Sequence, residues 1–172
     1  YPKRIPYGMM NFEAVVEDDC YNVDKTTYIE QIERANKFFF YIRPRRFGKS
    51  LTLSMLAHYY DINEADKFEQ LFGHLYIGQH PTREHNKYLI IKLNFSIVNA
   101  ELHNYKDGLD AHCNIRFSSF VRRYQRFLPE NTLEEMNKLD GAVKQLDYLC
   151  EVCEQADVKI FLFIDEYDHF TN

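Results

Sequence analysis

Apolar positions along the chain follow two rhythms, one helical and one continuous, and they alternate. After Asp24, a good N-cap, Tyr28, Ile29, Ile32 and Ala35 recur at helical spacing and predict a helix over 25–36. The first 23 residues hold Pro2, Pro6, Gly8 and a short apolar run at Val15 and Val16; they read as loop with one short strand. Residues 38–42, Phe-Phe-Phe-Tyr-Ile, are apolar without a break, which fits a strand buried on both faces of a parallel sheet. Leu51, Leu53, Met55, Leu56 and Tyr59 return to the helical rhythm. A second helix begins near Asn63, carries Phe68, Leu71 and Phe72 on one face, and stops at Gly73.

The second half repeats the alternation. Residues 88–95 predict another buried strand. Residues 102–128 are a long helical pattern through Leu102, Tyr105, Leu109, Cys113, Phe117, Phe120, Tyr124 and Phe127, ended by Pro129. Thr132 and Glu135 have capping-box spacing, and Gly141 divides the helical pattern after them into two helices. Residues 158–164 predict a third buried strand, running directly into Asp165 and Glu166. Strands alternating with helices imply βαβ units: an α/β fold with a parallel sheet flanked by helices in three layers.

Two segments carry candidate chemistry. Between the strand at 38–42 and the next helix stands Arg-Pro-Arg-Arg-Phe-Gly-Lys-Ser, residues 43–50. Its second half, Gly48-Lys49-Ser50, matches the end of the phosphate-binding P-loop (Walker A) pattern, in strand-loop-helix context. Backbone N–H groups at a helix start attract anions, and Gly48 permits close approach. Lys49 would reach the β- and γ-phosphates as a point charge, and Ser50 would place its hydroxyl on Mg²⁺. The position of the pattern's first glycine holds Arg43, so the loop entry must be shaped differently, with Pro44 fixing one φ. Arg45 and Arg46 add positive charge; a solvated basic turn is their plainer reading.

The second segment is the strand that ends in Asp165-Glu166, a Walker B-like pattern. Phosphoryl chemistry needs a carboxylate for the Mg²⁺ shell and a group that orients water. Asp165 suits the first role and Glu166 the second. Ligands of parallel sheets bind at the carboxyl ends of strands, where both segments would lie.

Composition narrows the classes. At 172 residues, with 45% hydrophobic and 27% charged residues, the chain has room for one domain with a proper core. A net charge of -5 argues against a dedicated nucleic-acid binder, although Arg43 to Arg46 form a local basic patch. Of the four cysteines, only Cys150 and Cys153 are close, at C-x-x-C spacing within a helical pattern, so buried thiols are expected rather than a zinc site. Free thiols suit a reducing cytoplasm. No apolar run reaches the roughly 20 residues of a membrane span, and no signal peptide is visible. The chain starts at Tyr1 and stops at Asn172, and reads as a piece of something longer.

Several segments together resemble the predicted AAA-ATPase-like family, abundant in gut anaerobes and other bacteria. They are Pro6-Tyr7-Gly8 through Phe12, residues 21–26, Arg43 to Ser50 with Leu51, Leu71-Phe72 through Ile77, and Ile164 to Asp168. The 43–50 run is the most specific, and the family's loop also lacks the first glycine. The resemblance implies a P-loop NTPase fold, of which residues 1–172 would be the N-terminal portion of one domain, truncated after the Walker B strand. It implies ATP and Mg²⁺ as cofactors. The nucleotide would be held by Arg45, Arg46, Phe47, Gly48, Lys49, Ser50 and Leu51, and the metal by Ser50 and Asp165. Lys49 and Glu166 would be catalytic, Glu166 as the base. By analogy with related ATPases, Asp24-Lys25-Thr26 would lie near the adenine. His169-Phe170 depart from the family's usual Lys-Pro pair. A sensor-bearing strand, which normally separates the two motif strands, and a nuclease-like C-terminal domain would both come after Asn172.

Three readings stand at this point. The first is an ATP-binding, ATP-hydrolysing module of a larger bacterial protein, coupled to a C-terminal domain. The second is a nucleotide-dependent switch or interaction module with little turnover. The third is a nucleic-acid-associated protein using Arg45, Arg46, Arg122, Arg123 and Arg126, which the overall charge disfavours.

Overall fold

The computed structural model of the chain describes residues 3–35, 48–97 and 105–166. The predicted strand at 38–42 and the loop residues Arg43 to Phe47 lie outside them. So do His169 and Phe170. The chain divides into two compact units, Tyr1–Lys87 and Tyr88–Asn172. It is a mixed α/β chain, with helices throughout and a two-stranded parallel sheet among the described residues.

The described residues of the first unit are mainly helical. Helix α1 spans Phe12–Glu17, where a short strand is predicted from Val15 and Val16. The capping residue decides the outcome: Asn11 accepts the Glu13 N–H at 3.0 Å, and Phe12 and Val15 then share one buried face. A 3-10 turn at Thr26–Tyr28 leads into α2, Ile29–Arg34, close to the predicted 25–36. Helix α3 spans Lys49–Tyr60 and packs against α1. A 3-10 segment, Ile62–Lys67, continues into α4, Phe68–Phe72, and α5 comes next at Tyr76–Gln79. Gly73 does end α4, but in right-handed conformation (φ -53°) rather than as a left-handed cap. The glycine that α5 requires is Gly78, where a Cβ would collide with the Phe72 carbonyl.

Rings form much of this core. Phe12 stacks on Phe72 at 5.2 Å, and Tyr59 meets both Phe72 and Tyr60 edge-on. Polar ties fasten the helices at their margins. Ser54 Oγ accepts the Phe12 N–H at 3.0 Å, so α3 holds the start of α1. Lys67 Nζ bridges Glu13 at 2.6 Å and Glu64 at 3.3 Å, with His58 Nδ1 3.4 Å from Glu64. Glu13, His58 and Glu64 bring three ligand atoms within 4.8 Å of one another, but the Lys67 ammonium already supplies the cation there.

The second unit holds the sheet. Strand β1, Tyr88–Asn94, runs parallel to β2, Lys159–Asp165, with Tyr88 opposite Lys159 and Asn94 opposite Asp165. Between them come α6, Tyr105–Arg123, α7, Thr132–Asn137, and α8, Ala142–Gln155. This is the strand–helix–parallel strand connection that the alternation predicts. Helix α6 packs on β1, α8 packs on β2, and α6 and α8 touch each other. Phe117, Phe120 and Tyr124 are buried, and the Tyr124 hydroxyl accepts the Ile90 N–H at 3.0 Å.

Local details differ from expectation. Helix α6 ends at Arg123, well before Pro129, and a short 3-10 turn occupies Gln125–Phe127. The capping box does not form: the Thr132 hydroxyl donates to the Pro129 carbonyl at 2.7 Å, and the Glu135 carboxylate pairs with Lys138. Gly141 does separate α7 from α8, and the cap of α8 comes from another helix, where Asp110 accepts the Ala142 N–H at 2.8 Å. Strand β1 is largely buried as predicted, through Leu89, Ile90, Ile91 and Leu93. Strand β2 is not buried on both faces: only Phe163 is fully covered, and Ile164 is 43% exposed. No helix among the described residues is long and apolar enough to cross a membrane.

Candidate functional site

Gly48 is the N-cap of α3, at φ +76° and ψ 23°, in the left-handed region that glycine enters without strain. Thr52 fastens the first turn from below: both its N–H and its hydroxyl donate to the Gly48 carbonyl, at 2.9 and 3.0 Å. Lys49 and Ser50 open the helix, with Leu51 behind them, and all three are half-buried. Lys25 also approaches this place. Its Nζ lies 3.5 Å from where a Cβ on Gly48 would stand.

The position of Lys25 is set by its neighbours. Asp24 Oδ1 accepts the Thr26 N–H at 2.8 Å and the Thr26 hydroxyl at 2.6 Å. The other Asp24 oxygen accepts the Tyr76 N–H, and Thr26 Oγ1 accepts the Ile77 N–H. Burial works against the Asp24 carboxylate, but the bonds from Thr26 and Tyr76, with His74 nearby, outweigh it and hold its pKa below the ordinary value. The Asp24 and Thr26 side chains therefore secure α5 as well as the turn that begins α2. Asp24 is not the N-cap of α2, which is Tyr28, nor of the 3-10 turn, which is Lys25; its carboxylate instead ties Thr26 to the start of α5.

In the second unit, β2 ends at Asp165, half-buried at the carboxyl end of a parallel strand. Its Oδ1 accepts the Glu166 N–H at 2.9 Å. Glu166 stands at φ 54°, a left-handed conformation that costs a residue with a Cβ about 1–2 kcal/mol. Strained backbone of this kind gathers at functional sites. Asn94, opposite Asp165 in the register, accepts from the Ser96 N–H and hydroxyl at 2.9 and 2.7 Å.

Of the predicted site residues, Gly48, Lys49, Ser50 and Leu51 lie together at the head of α3, and Asp165 and Glu166 lie together at the end of β2. Arg45 and Arg46 lie outside the described residues, as does Phe47. Lys25, which the resemblance sets near the adenine, lies beside Gly48. Asn94 beside Asp165 is a neighbour that the sequence pattern does not reveal, since its place depends on the pairing of β1 with β2. Arg122 and Arg123 occupy the last turn of α6, where cations complement the helix dipole, and the Arg126 guanidinium lies 4.6 Å over the Phe127 ring.

All four cysteines are free thiols. Cys20, Cys113 and Cys153 are buried, whereas Cys150 is exposed, contrary to the expectation for the C-x-x-C pair. Burial, with Cys150 beside it, pushes the Cys153 thiol up to about 12. Burial and Asp147 also raise Cys150. Both therefore stay protonated near neutrality.

A helix led by a left-handed glycine and a parallel strand ending in a carboxylate, within a helical framework, define the broad class of mixed α/β domains. The chain belongs to the family described as predicted AAA-ATPase, whose model matches residues 6–172. Membership agrees with a nucleotide-binding module. A curated protein of Azotobacter chroococcum mcd 1, described as "Uncharacterized protein in vnfD 5'region", is 44% identical over 63 residues, or 36% of this chain. The match spans 12% of that protein's length. No solved structure matches the chain.

Proposed function

We propose that the chain is the ATP-binding, ATP-hydrolysing module of a larger bacterial protein, with a P-loop NTPase fold. The observation that carries this reading is Gly48, left-handed at the start of a 12-residue helix whose first residues are Lys49 and Ser50. That arrangement offers an anion the backbone donors and positive end of α3, and Lys49 adds a full charge. Family membership makes the polyphosphate of a nucleotide the natural anion.

Ser50 and Asp165 offer the hard oxygen ligands that Mg²⁺ takes, and they are the residues that would hold it. The metal would neutralise charge on the phosphates. Lys49 binds and orients the phosphate chain, and Glu166 orients the attacking water. In the wider proposal, residues 1–172 are the N-terminal portion of one such domain, and nucleotide state is passed to a C-terminal domain of the same protein. Free thiols favour a reducing, cytoplasmic setting.

Titration calorimetry of the full-length protein with Mg²⁺-ATP tests the binding site. Lys49→Ala should abolish measurable binding while leaving the ligand-free melting temperature near that of the wild type. Unchanged affinity would remove the head of α3 from nucleotide recognition.

A further inference from the structure

We propose that Lys25 is a second cationic ligand for the phosphate chain held at Gly48, Lys49 and Ser50. The inference rests on the phosphate-binding reading of that helix start, and adds to it a residue from a different part of the sequence.

Three observations converge on Lys25. The first is position: its ammonium reaches to 3.5 Å from the Cβ position of Gly48, the residue at the head of α3. The second is fixation. Asp24 and Thr26, on either side, direct their side chains to the turn and to the N–H groups of Tyr76 and Ile77. The Lys25 carbonyl accepts the Tyr28 N–H at 3.2 Å. Of the three side chains in Asp24-Lys25-Thr26, only that of Lys25 is directed to the helix start instead of to the scaffold.

The third observation is charge. Lys25 is half-buried, and among the described residues its ammonium makes no hydrogen bond or ion pair. It approaches Gly48, at the positive end of α3. A half-buried ammonium set against a helix N-terminus is unfavourable alone and becomes favourable when an anion sits between them. A polyphosphate supplies several charged oxygens to such a pair, one lysine from each side.

The test uses the full-length protein and two probes, Mg²⁺-ATP and inorganic tripolyphosphate. Affinities are measured for the wild type, Lys25→Met, Lys25→Arg and Lys49→Ala, with ligand-free melting of each. Lys25→Met keeps the apolar stem, so it should melt at or slightly above the wild-type temperature. It should bind both probes about tenfold more weakly, the effect of losing one charge-assisted contact. Lys25→Arg should recover most of the affinity.

A Lys25→Met protein that binds both probes as the wild type does, while Lys49→Ala binds neither, overturns the role of Lys25 and leaves the helix-start site standing. A Lys25→Met protein that melts well below the wild type, with Lys25→Arg restoring stability but not affinity, makes Lys25 structural and also overturns it. Wild-type protein that takes up tripolyphosphate in a Lys25-dependent way but shows no preference for ATP keeps Lys25 as an anion ligand and overturns the nucleotide reading. Wild-type protein that binds neither probe removes both.

Discussion

Glu166 holds a strained backbone at the position where the sequence places the water-orienting carboxylate. Its left-handed φ of 54° comes directly after a strand, and its N–H is held by the Asp165 carboxylate. Nothing in a pattern of apolar residues announces such strain; the Asp-Glu pair was legible, its geometry was not. Steady-state phosphate release by the full-length protein tests the role. Glu166→Gln keeps size and hydrogen bonding and should lower the rate by at least about 100-fold, as loss of a general base does, with ATP affinity nearly unchanged. Equal rates would favour a binding switch with little turnover. Gly48 was legible as a helix start, because it stands just before the helical rhythm that begins at Leu51. Lys25 was named only by analogy, and its place beside Gly48 depends on the Asp24 and Thr26 side chains, whose partners are Tyr76 and Ile77.

At the scale of elements, the helical and continuous rhythms gave the right kind of structure for α2, α3, α4, α6, α8 and both strands. They failed where a local polar contact decides. Val15 and Val16 have strand propensity, yet Asn11 caps a helix across them. Thr132 and Glu135 have capping-box spacing, yet each finds a better partner, in Pro129 and Lys138. The cap that does matter comes from a different helix: Asp110 of α6 holds the first N–H of α8. Asp110→Ala should therefore lower stability by about 1 kcal/mol, through α8 rather than α6. Denaturant unfolding measures the loss, and hydrogen exchange should show the extra opening at the first turn of α8.

For the molecule as a whole, acid sensitivity follows from groups that the fold keeps in one protonation state. Burial first, and then the nearby Arg116 charge, push the His112 pKa below its ordinary 6.5. Its Nε2 is buried without a hydrogen-bond partner among the described residues. The unfolded chain accepts a proton there near pH 6.5, while the folded chain resists it. The contribution of neutral His112 is thus complete above about pH 6.5 and is lost as pH falls through the lower, folded value. His112→Gln should flatten the fall in melting temperature between about pH 7 and pH 5. An unchanged slope would place the acid sensitivity elsewhere. Asp24 and Glu64, both held below their ordinary values, add their own losses at lower pH.

The register of the two strands also has a kinetic side. Tyr88 meets Lys159 and Asn94 meets Asp165 only after α6, α7 and α8 have been laid down between them. Closing so long a loop costs entropy before any ladder bond offsets it, whereas α7 and α8 are neighbours in sequence and touch early at little cost. Separation in sequence therefore predicts that the pairing which brings Asp165 and Glu166 to the carboxyl edge of the sheet forms late, with hydrogen-exchange protection during refolding appearing in α7 and α8 before β1 and β2. A newly made chain carries its helices first and its acidic strand end last.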